Sequence, residues 1–198
     1  MGRFCYFSGM YKQTSPIILA SKSPRRQELM TSMNLDFKVM LKDVDESYPD
    51  NLLPAEIAVY IAEKKAKAFS EESVKNMVIT ADTIVAYNSE ILGKPEDATH
   101  AIEMINKLSG TNHQVYTGVS IVYGDILHSF YDVTEVFFSP LTEAQIAYYV
   151  TNYNPFDKAG AYGIQDWIGA VAVQKIIGSY TNVMGLPTEK LYKALSGF

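Results

Sequence analysis

Cysteine is nearly missing from this chain. Cys5 is the only one in 198 residues, which excludes an intrachain disulfide and a thiolate-held zinc cluster. Histidine is sparse as well. His100, His113 and His128 are scattered without metal-ligand spacing, so any metal is expected to be a hard cation on oxygen ligands, such as Mg²⁺. No apolar run approaches the roughly 20 residues needed to cross a bilayer. The start, Met1-Gly2-Arg3-Phe4-Cys5-Tyr6, lacks a signal-peptide core, and Tyr6 stands where a myristoylation motif needs Ser or Thr. These absences predict a soluble, cytoplasmic protein with no membrane partner. A basic surplus is also lacking: 17 Lys and Arg against 22 Asp and Glu leave a formal charge of -5. That sign argues against coating polymeric nucleic acid, but a small anionic ligand needs only a few local cations. There is no GxxxxGK[ST], GxGxxG, HExxH or GxSxG signature, which leaves the common kinase, dehydrogenase and serine-hydrolase readings without support.

What is present is a core. With 47% hydrophobic and 12% aromatic residues, the chain is the opposite of a disordered one. Its length suits one α/β unit or two small lobes sharing a cleft.

Residues 1–15 carry no periodicity and are expected to be an extension, disordered or foreign to the native chain, with Met10 as a second possible start. Residues 16–198 form the single catalytic domain of this reading. Strands are predicted at Ile17–Ala20, Phe37–Met40, Val78–Tyr87 and Glu90–Leu92, the last two joined by an Asn88-Ser89 turn. Longer strands follow at His113–Tyr123 and Ile126–Ser139, and another at Ala170–Ile177. Helices are predicted from Pro24 to about Met33, from Pro54 through Phe69, over Glu96–Leu108, from Thr142 to Val150, and over Pro187–Leu195. Lys42–Leu53 reads as an acidic loop and Asn152–Gly169 as a glycine-rich one. The mixture of strand–helix units and hairpins predicts an α/β fold, a mixed sheet flanked by helices in two lobes around a central cleft.

Four segments break their own structural rules. In Ser21-Lys22-Ser23-Pro24-Arg25-Arg26, a strand ends, Ser23 can cap, and two arginines occupy the first helical turn. The helix dipole disfavours each there by roughly 0.3–1 kcal/mol. Serine hydroxyls, free N–H groups and guanidinium forks together make an anion site, while the plain alternative is two solvated arginines. Asp82 interrupts the apolar run Val78–Val85, where a carboxylate must be paired or bind a metal. It is either a functional acid or a member of a structural hydrogen-bond network. Lys94, in Leu92-Gly93-Lys94-Pro95, returns on the hairpin; with a two-residue turn Tyr87 faces Glu90 and Thr83 faces Lys94, near Asp82. An ordinary salt bridge competes with a substrate role. The loop Asn154–Gln165 carries glycines that admit close approach, Tyr162 as a stacking face, and Gln165 as a donor and acceptor pair for a base edge. Glu46 is a possible metal carboxylate and Lys65 a possible phosphate contact, though acidic loops and charged helix faces are usually only solvated.

In chain order these segments resemble the Maf-like nucleotide pyrophosphatases, also called septum-formation inhibitor proteins. The matching stretches run from Leu19-Ala20-Ser21-Lys22-Ser23-Pro24-Arg25-Arg26 through Glu63–Ala68, Ala81–Val85 and Leu92–Pro95. They continue through Leu108-Ser109-Gly110, His113-Gln114-Val115, Asp157–Gln165, Gly178-Ser179-Tyr180 and Val183–Pro187. The resemblance implies a two-lobed α/β fold, often homodimeric, that uses a divalent metal, Mg²⁺ or Mn²⁺, to hydrolyse a nucleoside triphosphate. By position it makes Asp82 the general base and gives Glu46 and Asp82 to the metal. Arg25, Arg26, Lys65 and Lys94 then match residues facing the triphosphate, and Ser21 and Ser23 of the anion site are expected to join them there. Arg26, Thr83 and Gln165 match the residue types of a subgroup specific for dTTP and UTP. The expected reaction is water attack at the α-phosphorus, releasing monophosphate and pyrophosphate. Two competing expectations are a nucleotide-binding regulator of cell division with little hydrolysis, and a relaxed enzyme for modified nucleotides. The chain departs from the family pattern at Asn154, where many relatives have Glu, and at Asp166, where Gly is usual. The second departure bears on substrate preference.

Overall fold

The apolar run interrupted by Asp82 forms the central strand of one seven-stranded mixed sheet. The structure is a computed structural model that describes residues 13–198; Cys5, Met10 and most of the expected N-terminal extension lie outside the described residues. Gln13, the first of them, donates to the Asp36 carbonyl at 2.8 Å and accepts the Asp36 N–H at 3.0 Å.

Strand β1 (Ile17–Leu19) leads into helix α1 (Pro24–Ser32), strand β2 (Phe37–Val39), helix α2 (Pro54–Lys67) and a short helix α3 (Ser70–Ser73). Strands β3 (Met77–Tyr87) and β4 (Glu90–Leu92) form a hairpin, followed by helix α4 (Ala98–Leu108), strands β5 (Asn112–Tyr123) and β6 (Ile126–Phe138), and helix α5 (Glu143–Tyr153). Helix α6 (Trp167–Ala172), strand β7 (Val173–Ile177), helix α7 (Tyr180–Met184) and helix α8 (Thr188–Leu195) complete the chain. The sheet order is β2-β1-β3-β5-β6-β7, with β4 also on β3. Pairs β1–β2 and β1–β3 are parallel and the rest antiparallel.

The β3–β4 hairpin has the register that a two-residue turn requires: Tyr87 pairs Glu90, with Asn88 and Ser89 both at positive φ, the mirror-image turn whose twist matches its strands. Helix α4 begins after Asp97, whose carboxylate accepts the His100 N–H at 2.8 Å; such a cap is worth about 1 kcal/mol.

Alternation along β3 sends Ile79, Ala81, Thr83 and Val85 to one face and Val78, Thr80, Asp82 and Ile84 to the other. The first face carries two core clusters. One packs Leu19, Ile79 and Ile121 against Met30 of α1 and Leu191 of α8. The other packs Val85, Val115 and Val136 against Ile105 of α4 and Tyr149 of α5. These are the two lobes, and Asp82 and Thr83 sit at their junction. Helix α2 covers the opposite face through Ile57, Ala58 and Ile61. It lies so close that a Cβ on Gly118 of β5 would stand 2.3 Å from the Ala58 carbonyl, so glycine is required there by proximity.

One expected element differs. Residues 167–172 are helical and β7 begins at Val173, whereas a strand is predicted from Ala170. Trp167-Ile168-Gly169-Ala170-Val171-Ala172 is a short apolar run, and such runs do not distinguish a buried helix turn from a strand.

Candidate active site

The cleft exists because β3 loses its neighbour partway. On one edge it pairs with Leu19 at Ile79 and with Leu92 at Val85. Between those points residues 80–84 have no strand beside them on that edge among the described residues. Strand β1 ends here and the chain turns through Ser21 into α1, so a strand's carboxyl end, a helix N-terminus and Asp82 meet. Crevices at such switch points are where open α/β sheets bind ligands. The cleft measures about 670 Å³, and its walls include every residue expected to meet substrate or metal, Ser21, Ser23, Arg25, Arg26, Glu46, Lys65, Asp82, Thr83, Lys94 and Gln165, while Asn154 and Asp166 do not line it.

On the α2 side, Lys65 Nζ stands 2.7 Å from Asp82 Oδ1 and 2.9 Å from Glu46 Oε1. The Asp82 side chain is 13% exposed, shielded yet reachable. Partial burial works to raise the Glu46 carboxyl, but the Lys65 hydrogen bond and charge, with Lys94 and Arg26 behind, hold it below its ordinary value. Lys94 lies past the end of β4 and reaches Glu46 at 3.8 Å. It is thus Lys65, four residues from the helix face that packs Ile61, that takes the place beside Asp82 that the hairpin register suggested for Lys94. The two carboxylates sharing one ammonium are a donor set that suits Mg²⁺ or Mn²⁺, ions commonly held by one or two carboxylates plus substrate phosphates. No cluster of three or more metal-binding side chains occurs among the described residues.

On the other face of β3, Arg26 is fixed at all three guanidinium nitrogens. Nε donates to the Gly185 carbonyl at 2.7 Å, Nη1 to Ser21 Oγ at 3.3 Å and Nη2 to Thr83 Oγ1 at 3.0 Å. Burial lowers its pKa, with Asp82 opposing, but a guanidinium stays charged in proteins. The chain of hydroxyls behind it has only one possible direction. Thr117 must donate to the Asn182 carbonyl at 3.0 Å, so Thr83, 2.9 Å from Thr117, donates to it and accepts from Arg26. Asn182, fully buried, donates in turn to the Val115 carbonyl and to Thr134 Oγ1.

Ser23 occupies the N-cap of α1 but its hydroxyl makes no capping bond; its own N–H donates to Ser21 Oγ at 3.3 Å. The expected Ser23 cap is therefore not formed, and the first-turn N–H groups keep their anion-binding capacity. Arg25 reaches across to the loop and pairs with Asp157 at 3.0 Å. Tyr162, expected as a stacking face, is instead nearly buried, with its hydroxyl 2.7 Å from His113 Nε2 and its ring edge-on to Phe138. Gln165 is exposed at the cleft.

Thr117 and Asn182 went unnoticed in the sequence. The signal for Asn182 was the Ser179-Tyr180-Thr181-Asn182 spacing, since Ser179 Oγ accepts the Asn182 N–H at 3.3 Å and caps α7.

Comparison with known proteins decides the family. The Maf-like protein family model matches residues 16–198. The chain belongs to this family. Among its relatives are the dTTP/UTP pyrophosphatases of Cytophaga hutchinsonii (49% identical, covering 90% of this chain and 82% of that one) and of Flavobacterium johnsoniae (50%, covering 91% and 93%). The dTTP/UTP pyrophosphatase of Bacteroides fragilis is 53% identical, covering 90% of this chain and 94% of that one. Among solved structures, a HAM1 protein from Coxiella burnetii shares the fold at a TM-score of 0.53, with 13% identity over 93% of this chain and 100% of that one. The Maf-like fold is thus an α/β fold with a mixed sheet flanked by helices, as the sequence predicts.

Proposed function

We propose that this Maf-like protein hydrolyses dTTP and UTP to the monophosphate and pyrophosphate. The observation that carries the reading is one cleft in which Asp82, Glu46 and Lys65 meet on one face of β3 and Arg26 and Thr83 on the other. The relatives named above act on these same two nucleotides.

In this reading Asp82 accepts the proton of the attacking water. Glu46 and Asp82 hold a divalent cation, Mg²⁺ or Mn²⁺, which when bound neutralises phosphate charge and acidifies water. Phosphate oxygens arriving in the cleft compete with the two carboxylates for Lys65 and free Asp82 to act as base. Arg25, Arg26, Lys65 and Lys94 take up the charge that gathers on the departing pyrophosphate, and Ser21, Ser23 and the α1 N-terminus donate to its oxygens. Arg26 acts from a fixed network in which Thr83 accepts one of its protons, so the remaining guanidinium donors are aimed before substrate arrives. Gln165 reads the base.

The chain is proposed to work as a cytoplasmic homodimer; the exposed Leu127, Tyr131 and Val133 of β6 and Ile177 of β7 offer apolar surface for pairing. No helix among the described residues is long and apolar enough to cross a membrane. The functional test is pyrophosphate release from dTTP, UTP, CTP, GTP and ATP with Mg²⁺ or Mn²⁺. Preferential turnover of dTTP and UTP is expected. Tight nucleotide binding without turnover of any of them would favour the regulator instead.

A further inference from the structure

The Gln165 amide has one allowed orientation. Asp166 Oδ1 lies 3.1 Å from Gln165 Nε2. Carboxylate oxygens accept and never donate, so only the NH₂ end of an amide can face them. Asp166 is itself fixed: the Tyr149 hydroxyl donates to Oδ2 at 2.8 Å, and Lys158 Nζ stands 3.9 Å from the same oxygen. Tyr149 accepts the Gly163 N–H at 3.0 Å, which leaves its single proton for Asp166. Burial, and then Asp166, push the Tyr149 phenol well above its ordinary value, keeping it a donor. Gly163 lies directly against the pair, since a Cβ there would approach Asp166 Oδ2 to 2.6 Å and Gln165 Nε2 to 2.7 Å.

We propose that Asp166 is a positioning residue for substrate choice: by holding Nε2 of Gln165 it makes Oε1 the atom that this exposed side chain presents to a base in the cleft. An acceptor selects a ring N–H. Uracil and thymine, the 2,4-dioxopyrimidines, carry that donor at N3, whereas cytosine has a bare ring nitrogen at the same position and meets Oε1 with an acceptor. Rotating the amide to suit cytosine would turn Oε1 onto the Asp166 carboxylate, again acceptor against acceptor. The pair Gln165–Asp166 thus discriminates against cytosine by closing off the amide's second orientation, a way of building specificity by penalising the wrong partner. This inference rests on the nucleotide reading above.

The test is the ratio of kcat/KM for UTP over CTP in wild type, Asp166→Asn and Gly163→Ala, each checked by thermal melting. An Asn side chain can face Gln165 with either its oxygen or its NH₂, so both amide orientations open up. The ratio is expected to fall about tenfold or more in Asp166→Asn, through better use of CTP, with kcat for UTP nearly kept. Gly163→Ala, which displaces both members of the pair, should shift the ratio the same way and serves if Asp166→Asn does not fold. A residue with only a structural role would lower both substrates together and leave the ratio alone. A wild type that prefers UTP, with that preference unchanged in both variants, overturns this inference alone. A wild type that turns over neither nucleotide removes the functional reading and this inference with it.

Discussion

Lys65 holds its ammonium 2.7 Å from Asp82 Oδ1 while also touching Glu46 at 2.9 Å, so one cation keeps two carboxylates together at the junction of the lobes. Lys65→Met should leave those carboxylates facing each other and remove a phosphate contact. The expected loss in kcat/KM for UTP is on the order of 10²-fold, read by pyrophosphate release. Lys65→Arg should recover only part of it, because a planar fork does not replace a compact ammonium.

The hydroxyl chain behind Arg26 gives a second prediction. Thr117→Val removes the proton that satisfies the Asn182 carbonyl and the acceptor that holds Thr83. A loss of about 1–3 kcal/mol in urea unfolding is expected, together with a raised KM as Arg26 loses its fixed partner. Thr117→Ser keeps the hydroxyl and should restore both; a Thr117→Val that behaves like wild type beside a defective Thr117→Ser would show that the methyl group, and not the network, matters.

Gly118→Ala should be among the most damaging single changes. The new methyl carbon would stand 2.3 Å from the Ala58 carbonyl, a backbone group that cannot rotate away, and α2 would have to lift off the sheet. Overpacking of this kind destabilises by about 3 kcal/mol, visible as a lower urea midpoint with unchanged slope. Because α2 carries Lys65, nucleotide turnover should fall as well.

His113 sets part of the acid response. It is buried against Tyr162 and Phe138, and burial pulls its imidazole from 6.5 down to about 4. Above pH 6.5 neither the folded nor the unfolded chain binds this proton, so stability there is unaffected. As pH falls from 6.5 to 4 the unfolded chain takes up a proton that the folded one refuses, and stability declines by about 3 kcal/mol in total. Unfolding midpoints between pH 7 and 4 should fall less steeply in His113→Leu than in wild type. Parallel slopes would assign the acid response to the carboxylates.

Most of the framework was legible because local rules were strong. Pro24 and Pro54 mark helix starts that the structure keeps, and Asn88-Ser89 sets the hairpin register. Asp82 stood out because a carboxylate in a buried strand has few explanations. The parts that were not legible depend on contacts far apart in sequence. Lys65 looks like one of three lysines on a charged helix face, and only the packing of α2 over β3 turns it toward Asp82. Asn182 and Thr117 are 65 residues apart, so nothing in either segment shows that they form one hydrogen-bond chain with Thr83. Helices α3 and α7 are 4 and 5 residues long, too short to display a period. Asp166 was visible as a departure from its family, but its grip on Gln165 needs the Tyr149 hydroxyl from α5.

The central claim is that Asp82 is the base of a pyrophosphatase and not a structural carboxylate. Asp82→Asn tests it most directly, through pyrophosphate release from dTTP and UTP with Mg²⁺ beside the wild type, with nucleotide binding and thermal melting measured on the same samples. A loss of about 10²–10⁴-fold in kcat, with binding and fold retained, is the predicted result. A folded Asp82→Asn that hydrolyses both nucleotides at the wild-type rate would contradict the account.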